Sequence, residues 1–394
     1  MPGPLDGVRI IDLTTMISGP FATMLLGDQG ADVIKIERPD GGDQMRRYGS
    51  RSGALTAPFI NNNRNKRSVA VDLKAPEGVE VVRRLCREAD VLVQNFRPGV
   101  VEKLGLGEAD LRAVRPDLIY VSISGFGERG PLAHKPAYDP IIQAVTGLAS
   151  IQGGSDEARP RMVRAMLPDK IAALTVAQAV SSALYGRATT GEGQHVRLSM
   201  LDAVLGFLWS GEMDGHTFVG REVQGPEGFS PFDLVFETGD GYVCVATVTD
   251  DQFTGFARAV GHPEWLEDDR FNTPAAREQN RTERLELMQD ALRTGTTSEW
   301  IERLEAADVP CGPILNRREL VRHPHLDEAG SMIEYDHANA GRLRQARHPA
   351  RFEGTPAEVR REPPLLGQHT DEVLAAAGFS EDELMALRRD GVIA

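Results

Sequence analysis

The first 125 residues alternate short β-branched segments with segments of helical periodicity, and this alternation constrains the fold more than any other feature. Helical patterns such as PEGVEVVRRLCREA, residues 76–89, separate the apolar segments. The predicted strands are VRIIDLT, ADVIKIER, SVAVDL, VLVQNF and LIYVSIS. This pattern predicts right-handed βαβ crossovers and a parallel sheet covered by helices on both faces. The N-terminal part of the chain is therefore expected to be α/β.

The length of the chain indicates more than one domain. The 394 residues correspond to two or three domains of average size, each with its own core. Residues 211–231 are glycine-rich and lack periodicity, which indicates a linker or a loop. We predict a large domain over 1–215, completed by 331–394, a linker over 216–225 and a small domain over 226–330.

Composition and charge exclude several classes of function. A net charge of −14 disfavours binding to nucleic acid or to anionic membranes, because both depend on clustered Lys and Arg. The start of the chain lacks the features of a signal peptide, and we expect a cytoplasmic protein without membrane association. Cys86, Cys244 and Cys311 are too widely spaced for a CxxC site. His323 and His325 lack nearby ligand partners, so no metal site is predicted.

A GxGxxG pattern occurs in SGFGERGP, at Gly125, Gly127 and Gly130, directly after the strand LIYVSIS. A dinucleotide site needs a helix that opens at the third glycine. Pro136 would break the first turns of such a helix. We therefore expect a turn across the end of the sheet, which is still the place where α/β folds bind ligands.

A polar, basic stretch, NNNRNKRS at residues 61–68, precedes the predicted strand SVAVDL. Asn, Arg and Lys are mostly exposed residues in folded proteins. On these residues alone we predict a solvated loop.

An acid stands directly before a long apolar, alanine-rich segment in RAMLPDKIAALTVAQAVSSALYG, residues 164–186. Asp169 at that place is typical of a helix N-cap. The same position also suits a carboxylate nucleophile, because a helix N-terminus stabilises negative charge and would keep the group ionised. The local sequence supports both readings and does not choose between them.

Nine blocks, in order over residues 4–375, carry a family resemblance: PLDGVRIIDLT, GPFATMLLGDQGADVIKIERP, NRNKRSVAVDLKAPEG, ADVLVQNFRPGVVEKLGLG, LIYVSISGFGERGP, TGEGQHVRLSMLDA, VPCGPI, HPHL and LGQHTDEVL. Together they resemble the class III CoA-transferases, also called the CaiB/BaiF family. That family includes formyl-CoA transferase and the 2-methylacyl-CoA racemases.

The resemblance implies a fold, a substrate and a set of site residues. The implied fold is a large Rossmann-like α/β domain with a smaller α+β domain, in an interlocked homodimer. The implied nucleophile is Asp169, which acts on CoA thioesters as substrates without a permanently bound cofactor. The implied CoA-binding residues are Arg38, Val71, Lys74, Asn95, Phe96 and Lys103. Formyl-CoA transferase closes its site with consecutive glycines, and this chain has only GPEGFS, residues 225–230, near that place.

Within the family, the residue before Asp139 distinguishes the racemases from the CoA-transferases. Racemases resemble one another in having histidine there, as one of two bases, whereas this chain has Tyr138. Tyrosine, with an ordinary pKa near 10, is a poor base at neutral pH, but its phenol can orient a carbonyl. The resemblance thus favours transfer of CoA from an acyl-CoA donor to a carboxylic acid, through an aspartyl-acyl anhydride and an aspartyl-CoA thioester. The alternatives are a 2-methylacyl-CoA racemase and a non-catalytic acyl-CoA-binding relative.

Overall fold

The computed structural model describes residues 2–154, 156–221 and 234–394. The chain divides into two compact units, Met1–Gly228 with Gly330–Ala394, and Phe229–Ala329. The stretch 225–230, which the resemblance places near the lid of the family, lies outside the described residues, as do residues 222–225 of the predicted linker. Within those three described ranges, no helix is both long enough and apolar enough to cross a bilayer.

The strands are β1 (Arg9–Asp12), β2 (Asp32–Glu37), β3 (Arg51–Ser52), β4 (Leu55–Thr56), β5 (Lys66–Ala70), β6 (Val91–Gln94), β7 (Ile119–Ser124), β8 (His195–Ser199), β9 (Val235–Glu237), β10 (Tyr242–Val245), β11 (Cys311–Pro313), β12 (Met332–His337) and β13 (Gly341–Ala346).

The helices are α1 (Ser18–Asp28), α2 (Ala57–Asn63), α3 (Pro76–Cys86), α4 (Val100–Lys103), α5 (Glu108–Arg112), α6 (Asp139–Val145), α7 (Leu148–Ile151), α8 (Leu167–Thr190), α9 (Met200–Leu208), α10 (Asp250–Ala259), α11 (Pro274–Gln279), α12 (Arg281–Leu292), α13 (Thr297–Ala306), α14 (Arg317–Leu320), α15 (Pro324–Glu328), α16 (Thr370–Ala376) and α17 (Glu381–Arg389). Single 3₁₀ turns lie at Gln44–Arg46, Asp214–His216 and Pro263–Leu266.

The large unit is built on a six-stranded sheet in the order β5-β2-β1-β6-β7-β8, in which every neighbouring pair is parallel. The predicted α/β fold with a parallel sheet is thereby confirmed. The central strand β1 is buried from Ile10 to Asp12. Such continuous burial explains why the strands of this sheet are apolar runs instead of alternating patterns.

Both faces of the sheet are covered by helices. Residues on one face of the sheet, such as Ile10 and Val93, pack against the apolar sides of α1, α8 and α9. The other face packs residues such as Ile11 and Leu92 against α3 and against the C-terminal helices α16 and α17. The C-terminal segment therefore supplies part of the core of the large unit.

All strands run in the same direction, but successive strands are added to opposite sides of the sheet from the boundary between β1 and β6. The chain proceeds from β1 through β2 to β5 on one side, and from β6 through β7 to β8 on the other. The loops that leave the carboxyl ends of β1 and β6 separate at this point and leave a crevice, where open α/β sheets bind their ligands. The fold alone thus locates a candidate site beyond the ends of these two strands.

Residues 63–68 of the basic stretch are buried, which corrects the prediction of a solvated loop. Lys66 is 0% exposed, and its ammonium group donates to Asp12 at 2.9 Å, to the Pro20 carbonyl at 2.8 Å and to Asn63 at 2.9 Å. Arg64 forms a forked pair with the Asp28 carboxylate. Because each charge has partners that are distant in sequence, burial is tolerated where composition predicts exposure.

The small unit has a separate core. Its antiparallel sheet, β11-β10-β9, packs with helices around Phe253, Phe256 and Trp300. The Trp300 indole donates to the Leu292 carbonyl at 2.7 Å, which satisfies its polar atom inside the core.

Candidate active site

A cavity of about 200 Å³ lies at the carboxyl ends of β1, β6 and β7. The residues that line it include Thr15, Met16 and Ser18 after β1, Asn95, Phe96 and Arg97 after β6, Ser124 and Gly125 after β7, and Lys135, Tyr138, Asp169 and Met200. The cavity thus occupies the crevice that the strand order predicts. The glycine turn after β7 contributes to its wall, as expected from the sequence.

The loops on the two sides of the crevice are joined by Asn95. Its side-chain oxygen accepts the Thr15 N–H at 3.0 Å, and its amide donates to the Thr15 carbonyl at 2.8 Å. The Gln94 side chain accepts the Phe96 N–H at 2.8 Å. These three bonds hold Phe96 against the cavity, so Asn95 has a structural task beside its predicted role in CoA binding.

Two buried charges hold the loop after β1. The Lys35 ammonium group, 0% exposed, donates to the Thr14 carbonyl at 2.7 Å and pairs with Asp43 at 3.0 Å. The Asp43 carboxylate in turn accepts the Met16 N–H at 3.2 Å. Met16 has a φ of 72°, a left-handed conformation that a residue other than glycine adopts only where its surroundings enforce it. The loop therefore presents Ser18 in a fixed position.

Asp169 lies in the first turn of α8, which corrects the N-cap prediction. The helix begins at Leu167, and the N-cap is Met166, with a φ of 44° and no side-chain cap bond. Pro168 is accommodated in the first turn, where its missing N–H costs nothing. The helix ends at Thr190, and the next residue, Gly191, has a φ of 76° that suits a C-terminal cap. Because Asp169 is the third helical residue, a capping role does not explain it.

The electrostatic environment of Asp169 also differs from the expectation of a carboxylate held firmly ionised. Burial, followed by repulsion from Asp139, raises the pKa of Asp169 to about 6. Hydrogen bonds from the hydroxyl and N–H of Ser18 and the charge of Lys170 act in the opposite direction. The field of the helix N-terminus favours the anion, but burial and Asp139 outweigh it. The carboxylate is therefore basic, yet mostly ionised at neutral pH.

Tyr138 lies at the cavity directly before α6 and is 58% exposed. Its ring is thus accessible from solvent and shares the cavity with Asp169. The structure brings these two predicted catalytic residues together, along with Asn95 and Phe96.

The other predicted CoA-binding residues lie on the same edge of the sheet but outside the wall of this cavity. Arg38 follows β2, Lys74 follows β5, and Lys103 ends α4, and all three are exposed. Val71 directly follows β5 and is fully buried, and its backbone N–H donates to the Glu37 carbonyl at 2.7 Å, so the structure does not expose this predicted CoA-binding residue. Among the residues that the structure describes, Arg38 makes no ion pair, and its guanidinium donates to the Gly42 carbonyl at 3.2 Å.

Sequence reasoning missed three residues of the cavity wall and one buried residue next to Asp169. Arg97 and Lys135 are exposed cations in the cavity wall, and neither pairs with a carboxylate in the described part of the chain. Ser18 lines the cavity and lowers the pKa of Asp169, and the buried Asp139 accepts the Asp169 N–H at 3.2 Å. The NFRPG sequence after β6 could have indicated Arg97, because residues that follow parallel strands face the ligand edge. The sequence gives no comparable signal for Lys135.

Comparisons with known proteins give matches over nearly the whole chain. The sequence profile of CoA-transferase family III matches residues 5–370. The human succinyl-CoA:glutarate CoA-transferase is 33% identical over 94% of this chain and 85% of the relative. The formyl-CoA:oxalate CoA-transferase of Bradyrhizobium sp. (strain ORS 278) is 34% identical over 100% of this chain and 98% of the relative. A crystal structure of a CaiB/BaiF family protein from Brucella suis aligns with a TM-score of 0.82 and 31% identity, over 96% of this chain and 100% of that one.

Proposed function

This chain belongs to CoA-transferase family III, and on that basis we propose that it moves CoA from an acyl-CoA donor to a carboxylic acid through covalent intermediates on Asp169. The observation that carries the proposal is a partly buried, basic carboxylate inside a cavity at the ligand edge of the sheet. A carboxylate nucleophile needs such a position, because it must be ionised, accessible to substrate and shielded from bulk water.

The reaction proceeds in two symmetrical halves. Asp169 attacks the donor thioester, so that a C–O bond forms, the C–S bond breaks and CoA leaves as the thiolate. The thiolate attacks the aspartyl carbonyl of the anhydride, which releases the donor acid and leaves an aspartyl-CoA thioester. The acceptor carboxylate then attacks that thioester, and the thiolate returns to the acceptor carbonyl. Asp169 is regenerated, and the energy of the thioester is conserved.

The cavity residues suit these steps. Arg97 and Lys135 bring positive charge to a site that must bind the phosphates of CoA, a carboxylate and a thiolate. Tyr138 lines the same cavity as Asp169, which supports the proposal that its phenol orients the reacting carbonyl. The apolar surfaces of Phe96 and Met16 limit the access of water, which would hydrolyse the intermediates. Because Tyr138 replaces the histidine of the racemases, we favour transfer over racemisation.

The proposed substrates are short carboxylic acids. Relatives over nearly the whole chain carry the names of CoA-transferases for glutarate and oxalate, with succinyl-CoA, acetyl-CoA or formyl-CoA as the partner thioester. We propose that short dicarboxylates such as succinate are among the acids used here. A panel of acyl-CoA donors crossed with carboxylic acids, read by mass spectrometry in heavy water, tests this. Formation of acceptor-CoA supports the proposal, whereas α-deuteration of the donor without transfer supports a racemase.

The reaction should lose rate in acid. Because the attacking form of Asp169 is the anion, and its pKa is raised to about 6, kcat/KM for the donor should be level above that pH. Below it, the rate should fall about tenfold for each pH unit. Steady-state kinetics between pH 4.5 and 8.5 measure the acidic limb, which is the part of the pH profile where kcat/KM falls as the pH decreases. A limb near pH 4 would show that Asp169 has the pKa of an ordinary aspartate.

Arg38 and Lys74 should contribute to CoA binding and not to the chemical step. Their exposed cations, on loops that follow neighbouring strands, suit the phosphates of CoA. We expect Arg38→Ala and Lys74→Ala to raise KM for acyl-CoA about fivefold to tenfold with little change in kcat. Arg389→Ala, at an exposed arginine of α17, is the matched control and should leave both constants unchanged. A loss confined to kcat would place Arg38 or Lys74 in the chemistry.

We also propose a homodimer. The exposed apolar residues of the large unit include Ile141 and Val145 of α6, Leu174 and Tyr185 of α8, and Leu205 and Phe207 of α9. These three helices pack against one another. Exposed apolar side chains on neighbouring helices favour cover by a partner. A second copy of the chain supplies that cover in an interlocked arrangement.

A further inference from the structure

Asp139, which has no role in the mechanism above, contacts the turn that carries the nucleophile. It is the first residue of α6 and is 4% exposed. One carboxylate oxygen accepts the backbone N–H of Asp169 at 3.2 Å. The other oxygen accepts the side-chain amide of Gln143 at 2.6 Å. Two N–H donors on opposite oxygens require two acceptors, which a carboxylate provides and an asparagine side chain does not.

Gln143 connects Asp139 to the segment that leads into α8. Its side chain is 2% exposed, and it donates to the Val163 carbonyl at 3.1 Å and accepts the Val163 N–H at 2.9 Å. The chain between Val163 and α8 includes Met166, whose left-handed backbone costs free energy and persists only when its surroundings determine it. Asp139 and Gln143 therefore hold both the approach to α8 and its first turn.

The charge of Asp139 acts directly on Asp169. Of the groups that face Asp169, burial aside, Asp139 raises its pKa, while Ser18 from α1 and the neighbouring Lys170 lower it. The cavity wall adds the cations of Arg97 and Lys135 and the phenol of Tyr138. Two adjacent buried carboxylates repel each other, so an acid at position 139 costs stability that a neutral residue would not.

We propose that Asp139 is a positioning residue for CoA transfer: its carboxylate fixes the first turn of α8, and its negative charge strengthens Asp169 as a nucleophile. The inference rests on the proposed function, in which Asp169 attacks the thioester carbonyl and the thiolate leaves. A more basic carboxylate donates its electron pair more readily, and the same repulsion is relieved as the anion becomes a neutral anhydride. The destabilisation of the free enzyme is thus removed in the covalent state.

The test compares the pH dependence of two variants. Asp139→Asn removes the charge at nearly constant size, and we expect the acidic limb of kcat/KM to move at least one pH unit lower, with a rate at pH 8 reduced about tenfold or more. Gln143→Met breaks the connection to Val163 but keeps the charge of Asp139. It should lower the rate without moving the limb to lower pH. A purely structural role for Asp139 predicts loss of rate in both variants with the limb of each unmoved.

An active, folded Asp139→Asn protein whose acidic limb stays in place overturns the inference. If Asp139→Asn does not fold, the same pH profile is measured for Asp139→Ser, which has a smaller side chain. An acidic limb that stays in place in Asp139→Ser also overturns the inference. The proposed function fails separately: it fails if the unmodified protein transfers no CoA at any pH. The two failures are distinguishable, because the comparison of limbs uses only proteins that retain transfer activity.

Discussion

Asp169→Asn should abolish CoA transfer and at the same time stabilise the folded protein. The amide is not a nucleophile for the thioester, so we expect kcat to fall at least about 10³-fold. The raised pKa of Asp169, about 6, shows that its charge is unfavourable in the folded state. Removing the charge should add about 1–3 kcal/mol to the free energy of unfolding at pH 8. Thermal and urea denaturation measure this second effect.

The pH dependence of that stabilisation provides an internal control. Folding raises the pKa of Asp169 from 3.8 to about 6, so the carboxyl group destabilises the native state most above pH 6, and this destabilisation shrinks as the pH falls through that window. The gain in Asp169→Asn should therefore fade between pH 6 and pH 4 and be absent at pH values well below 3.8, where the aspartate is protonated in both states. Asp169→Ser and Asp169→Ala should be inactive as well, because neither side chain is a carboxylate, and neither removes a helix cap, because the N-cap of α8 is Met166. Retained turnover in Asp169→Asn, in protein shown not to have deamidated, would contradict the nucleophile role.

The chain should sediment as a dimer that does not dissociate at low micromolar concentration. The exposed apolar residues of α6, α8 and α9 form the surface that a second copy would cover. Leu174 and Phe207 are 53% and 50% exposed, and a charge at either position would be buried without a partner in the dimer. We expect Leu174→Glu and Phe207→Glu to abolish the dimer, and with it the activity.

A matched control separates the loss of the interface from a general effect of added charge. Met385 of α17 is also an exposed apolar residue, 58% exposed, and lies on a helix that packs on the other face of the sheet. Met385→Glu should remain dimeric and active. A folded, active monomer of the unmodified protein in analytical ultracentrifugation would rule out the interlocked arrangement.

The parallel sheet was predictable because each of its strands and crossover helices has a pattern that can be recognised in its own short segment of sequence. Strands buried on both faces must be apolar throughout, and the crossover helices between them show a different period, so the elements can be recognised one by one. The order of the strands was not predictable in the same way. The change of side between β1 and β6 depends on pairings between segments about 80 residues apart, such as Ile10 with Val91. The crevice follows from that order and not from any motif.

The buried basic stretch shows where composition misleads. Lys66 and Arg64 are buried because Asp12 and Asp28 lie opposite them, and those partners are 54 and 36 residues away in the sequence. Without the fold, the same residues predict a solvent-exposed loop. The predictable quantity is the average behaviour of Lys and Arg, and this segment departs from it through tertiary pairing.

The candidate site was only partly predictable for the same reason. Family resemblance indicated Asp169, Tyr138, Asn95 and Phe96, and the structure brings them to one cavity. The sequence of α8 does not indicate that the pKa of Asp169 is raised, because the increase depends on burial and on Asp139 of α6. An acid at a helix N-terminus predicts a lowered pKa, and here tertiary packing reverses the direction.

Oxygen isotope tracing tests the covalent role of Asp169 most directly. The acceptor acid is supplied with heavy oxygen in its carboxylate, together with an unlabelled acyl-CoA donor in ordinary water. If the acceptor attacks an aspartyl-CoA thioester, the oxygen that bridges the resulting anhydride stays on the enzyme when the thiolate returns to the acceptor. We therefore expect heavy oxygen in the peptide that contains Asp169, and after further turnovers in the released donor acid. Complete transfer of CoA with no heavy oxygen in Asp169 would contradict the mechanism.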